Sequence, residues 1–101
     1  MSDVVKEIVR QLHGQNVNLR GKTLIKMDKN TLRVSGRGIN VDIKYNHGLD
    51  LYDVMVHKID TKKLKVKTCK VKGIYFDNLP DYFKPDATKY MKCGRWARKL
   101  L

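Results

Sequence analysis

Six lysines stand within residues 62–72 (Lys62, Lys63, Lys65, Lys67, Lys70 and Lys72), with no acid among them. Ammonium groups at this density attract polyanions, each meeting a phosphate as a point charge without reading a base. On an extended strand alternate side chains share a face. Lys63, Lys65 and Lys67 are therefore expected to project together at about 6.5–7 Å intervals, comparable with the phosphate spacing of a nucleic-acid strand. The same run also fits a solvated edge strand kept from aggregation by its charge. A second acid-free stretch holds Lys89, Lys92, Arg95, Arg98 and Lys99, with Tyr90 and Trp96 interleaved. Aromatic rings among cations stack on unpaired bases. Such a segment also suits an anionic lipid surface, or a basic terminal helix that packs Trp96 back onto the core. On that helix Arg95 and Arg98 would share a face. Gly36-Arg37-Gly38, close to Arg33, is a candidate contact loop built around Arg37. It neither follows a buried strand nor opens a helix, so it is no dinucleotide fingerprint, and a plain turn accounts for it as well.

Other chemistries find less support. Cys69 and Cys93 lie far apart, His13, His47 and His57 are scattered, and no pair has zinc-ligand spacing. The cysteines read as packed small hydrophobes, and neither metal nor cofactor is expected. Ser2 and Ser35 are the only serines, and neither sits in a nucleophile elbow. Asp53, Asp60 and Asp77 would have to converge to hold Mg²⁺ for phosphodiester chemistry. Single aspartates at turns and strand ends more simply cap backbone N–H groups. A binding protein is expected rather than an enzyme.

The elements that must carry these residues follow from hydropathy periods. Val4, Val5, Ile8, Val9 and Leu12 recur at helical spacing, after Ser2 or Asp3 as an N-cap and before Gly14 as a left-handed C-cap. From Thr23 the period becomes two. Strands are expected over Thr23–Met27, Thr31–Ser35, Ile39–Tyr45 and Leu51–Ile59. A fifth has Leu64 and Val66 alternating with Lys63, Lys65 and Lys67, with a bulge near Thr68–Lys70. Turn residues every ten or so positions, with no helix between, mean an antiparallel meander. Asn78-Leu79-Pro80-Asp81 opens a short helix, and Asp86 caps another through Met91. The fold class is α+β: an N-terminal helix, an antiparallel β-meander of four to five strands, and short C-terminal helices. The helix would cover Ile39, Val41, Ile43, Val54 and Val56, leaving the lysines on the other, wet face. One domain spans 1–101, and its basic tail, 94–101, is helical or flexible.

These segments resemble a group of small proteins encoded in bacteriophage genomes and mobile elements. Lys6 to Gly14 is similar to their helix ending in Gln-Leu-Gly-Gly, with His13 where the group has Gly. Leu51-Tyr52-Asp53-Val54 resembles their Tyr-Asp strand. Gly73-Ile74-Tyr75-Phe76-Asp77-Asn78-Leu79 resembles their Gly-Ile-Tyr-Ala-Asp-Gln-Leu segment, and Thr88-Lys89-Tyr90 their Thr-Gly-Leu-Tyr ending. The resemblance implies a phage-type accessory protein and the same element order. It transfers no catalytic residue.

The chain has 101 residues with 22 Lys+Arg against 10 Asp+Glu, a net charge of +12. That length supports one modest core. No apolar run approaches the roughly 20 residues of a membrane span, and the first residues do not form a signal peptide. The expected setting is cytoplasmic and reducing, in a bacterial host if phage-encoded. The expected partner is DNA or RNA. Alternatives are an acidic host protein or nucleoprotein, as for an inhibitor of a nucleic-acid-guided defence complex, and a virion component that neutralises genome. Dimerisation is left open.

Overall fold

The apolar stripe near the N-terminus forms the helix that its spacing demands. In the computed structural model, which describes residues 4–15, 17, 19, 21–36, 38–83 and 87–98, α1 spans Val4–Gly14 and buries Val5, Ile8 and Leu12. Gly14 is the last helical residue and does not take the left-handed conformation expected of it. The helix is closed instead by the Val17 N–H, which reaches back to the Leu12 carbonyl at 3.0 Å, the six-to-one bond of a helix C-cap.

Period-two segments then form β1 (Thr23–Asp28), β2 (Thr31–Gly36), β3 (Ile39–Asn46), β4 (Leu51–Asp60) and β5 (Lys65–Ile74). Each is antiparallel to the next in a simple meander. Two 3₁₀ helices follow, Phe76–Phe83 and Ala87–Tyr90, so Asn78 lies inside the first and does not cap it. Asp86 falls outside the described residues. The chain then returns to the sheet as β6 (Lys92–Cys93) and β7 (Ala97–Arg98), both antiparallel to β5. Among the described residues the sheet therefore has seven strands where four to five were expected. The tail satisfies the open hydrogen-bonding side of β5, for example through the Gly94 N–H to the Thr68 carbonyl at 2.9 Å.

One face of the sheet carries the core. Leu32, Val34, Val41, Ile43, Tyr52, Val54, Val56 and Cys69 meet the helix stripe and Leu79 of the first 3₁₀ helix. The Tyr52 hydroxyl donates to Gln11 Oε1 at 2.7 Å, pinning α1 to β4. Ile39, expected beneath the helix, is 42% exposed. It starts β3 opposite Lys58, beyond the apolar pairs. Thr68–Lys70 pairs regularly. The irregularity lies at Gly73, which has φ 74° opposite the Tyr52 end of β4. Glycine takes that conformation without steric cost, and its N–H donates to Asp53 Oδ1 at 3.3 Å.

Candidate nucleic-acid interface

Alternation along β5 distributes its lysines. Lys65 and Lys67 share the parity of the buried Cys69 and so point to the helix-bearing side. Lys70 lies opposite Met55, in the same row as Asp42 and Arg33, and so points to the open face, as does Lys72. Lys62 and Lys63 sit in the turn before β5, where Asp60 Oδ1 accepts their backbone N–H groups at 3.0 and 3.1 Å. The expected common row of Lys63, Lys65 and Lys67 is therefore broken: Lys63 is in a turn. The expectation that the lysines all occupy the wet face also fails, because strand alternation divides them.

The C-terminal segment is an edge strand in two pieces, not a helix, so Arg95 and Arg98 share no helix face. Trp96 is 44% exposed rather than packed into the core. Arg95 stands beside it in the link between β6 and β7, and Arg98 pairs with Lys65. Arg37 and Lys99 lie outside the described residues.

Pairing brings the two basic stretches together. Lys58 stands opposite Lys67, Lys70 opposite Lys92, and Lys65 opposite Arg98. Directly opposed like charges destabilise a sheet, each on the order of 0.5 kcal/mol. Elsewhere cross-strand charges are matched: Arg33 with Asp42, and Lys44 with Asp53. Within the basic region Asp60 opposite Lys65 is the one acid in the described pairing. Lys70, Val71, Lys72 and Lys92 line an open groove of about 670 Å³ where β6 begins.

A disulfide fastens this arrangement. Cys69 on β5 and Cys93 on β6 are bonded, which corrects their reading as separate packed thiols and runs against the reducing setting expected from the sequence. Their separation in sequence concealed that they occupy directly opposed positions. Cys69 is fully buried, while Cys93 lies on the exposed β6.

The open face also holds a network that sequence reasoning missed. Arg33 donates from Nε and Nη2 to the two Asp42 oxygens at 2.7 and 2.9 Å. That pairing pushes the Arg33 pKa further up, the hydrogen bond being the main cause. His57 Nε2 lies 3.3 Å from Asp42 Oδ2, and its Nδ1 lies 3.1 Å from Thr68 Oγ1. Both ring nitrogens are thus engaged, and Asp42 is shared with an arginine. The arrangement ties β2, β3, β4 and β5 together. Its members come from four strands, so only the register aligns them. Asp53 and Asp60 hold backbone N–H groups, and no group of three or more potential metal ligands occurs among the described residues. No helix among them is long and apolar enough to cross a membrane. Comparison with protein families, curated proteins and solved structures finds no match to this chain.

Proposed function

We propose that the protein is a non-enzymatic nucleic-acid-binding module that receives a phosphate backbone along β5, β6 and β7. The observation that carries this reading is the set of three opposed cation pairs, Lys58–Lys67, Lys70–Lys92 and Lys65–Arg98, gathered at one edge of the sheet. Opposition of like charges costs the fold, whereas a polyanion converts each repulsion into attraction. Lys72 and Arg95 extend the same surface. Lysine point charges give affinity with little base discrimination.

The test is the salt dependence of binding to a labelled oligonucleotide. Six phosphate contacts give a log–log slope of about −5 on duplex DNA, or about −4 on a single strand. The double variant Lys67→Ala, Lys70→Ala reduces that slope by about 1.5–2. A flat response to salt, or an unchanged slope in the variant, would exclude this surface. Pull-down from host lysate with nuclease treatment tests the same reading against a protein target. Loss of the bound material supports nucleic acid, and a single partner that survives overturns it.

A further inference from the structure

We infer that the ligand of this surface is a single strand rather than a duplex, crossing the sheet edge with a base stacked on Trp96. The inference rests on the nucleic-acid reading above and adds the path and the strandedness.

The cations form two groups. Lys58, Lys65, Lys67 and Arg98 lie on the helix-bearing side, toward the start of β5. Lys70, Lys72 and Lys92 lie on the open side, toward its end. They are thus offset along the strand and on opposite faces. Between them the tail carries one extra residue. Cys69 pairs with Cys93 and Val66 with Ala97, so residues 94–96 span what 67–68 span on β5. An unmatched residue bends a strand outward. Arg95 and the half-exposed Trp96 are on that bend, where a path from one cation group to the other must cross.

A ligand touching both groups follows a diagonal over the edge. Lys65 and Lys72 are seven residues apart, about 24 Å along the strand. Duplex DNA, with a persistence length of about 150 base pairs, does not turn over a sheet edge within that distance. A single strand does, and its unpaired bases are free to meet an aromatic ring. Phosphates on both cation groups with a base on the ring between them is the usual division of labour in single-strand binding. A site of roughly five nucleotides fits the length.

Trp96 is the sole tryptophan of the chain, so fluorescence excited at wavelengths that the five tyrosines do not absorb reports this position alone. The experiment titrates the intact, disulfide-bonded protein with short oligothymidylate and with a duplex of equal length. Saturable quenching by the single strand is expected, with affinity about tenfold above that for the duplex. Trp96→Ala, read by fluorescence anisotropy of labelled oligonucleotides, weakens single-strand binding about tenfold, leaves duplex binding unchanged, and is rescued by Trp96→Phe. Lys67→Glu and Lys70→Glu, on opposite faces, each weaken single-strand binding. Equal affinity for the duplex, an unquenched Trp96, or sensitivity to only one of the two lysines overturns the crossing path while the polyanion surface stands. Absence of binding to either oligonucleotide overturns both.

Discussion

Reduction of the Cys69–Cys93 bond is the perturbation with the largest expected effect. The bond closes a loop over a sequence separation of 24, containing most of β5 and both 3₁₀ helices. Cross-linking a loop of that length removes unfolded-state entropy worth about 3.5 kcal/mol at 25 °C. Among the described residues little else holds the tail: two two-residue strands and the Gly94–Thr68 hydrogen bond. The opposed Lys70–Lys92 and Lys65–Arg98 pairs push against that attachment. The assay is urea unfolding followed by circular dichroism, with and without a dithiol reductant. The gain of two hydrogens in the intact mass confirms reduction. With a slope of about 1–1.5 kcal/mol per molar for a domain of this size, the midpoint falls by roughly 2–3.5 M. Cys93→Ser, which changes the more exposed partner and leaves Cys69 in its buried place, reproduces the shift without reductant. A midpoint that moves by less than about 0.5 M in both experiments refutes the reasoning. The tail would then be held by contacts other than the disulfide.

Three further outcomes follow from local geometry. Leu64 occupies the turn before β5 with φ 52° and 55% of its surface exposed; Leu64→Gly raises stability by about 1 kcal/mol, read in the same urea titration, and a loss of stability would contradict it. Asp42→Asn leaves Arg33 with one acceptor oxygen in place of two and no opposing charge, and alters the partner of His57; stability falls by about 2 kcal/mol, and a change within error would show the network to be passive. Burial raises the pKa of Tyr52 above the ordinary phenol value. Its folded value then exceeds its unfolded value, so this contribution is complete below the unfolded phenol range near 10 and is lost as pH rises through the folded value. Unfolding midpoints measured from neutral into alkaline pH fall more steeply for the wild type than for Tyr52→Phe; identical profiles would refute the assignment.

The meander and its helix were legible because burial imposes period. Val5, Ile8 and Leu12 mark the helix, and Val41 and Ile43 set the inward row of β3, as Val54 and Val56 do for β4. The tail was not legible, because Lys, Arg and Trp on a short segment carry neither period strongly. Pairing with the open side of β5 decided its conformation. The disulfide was hidden for the same reason: Cys93 faces Cys69 only once the tail is a strand. Lysine positions were readable, but their faces were not. The expected row began at Lys63, which a left-handed Leu64 assigns to the turn. The Arg33–Asp42–His57–Thr68 network required three registers at once, and no local motif announces that.

Placement of charge also bears on why it is there. If the lysines served only to keep an edge from pairing with another molecule, the barer edge should carry them. The opposite edge of the sheet is β1, all six residues of which are exposed. It presents Leu24, Ile25 and Met27 at 40–45% exposure, with Lys26 as its only cation. The cations instead concentrate on β5, which the tail already covers, and on the tail itself. There they oppose one another across the ladder, although acids were usable partners, as Asp42 and Asp53 show on β3 and β4. Protection of an edge needs dispersed charge. A stack of opposed cations, tied down by a disulfide against its own repulsion, concentrates positive potential at one place. That arrangement fits a partner supplying the missing negative charge, and it makes the covered edge of the sheet, rather than the bare one, the surface on which to look for it.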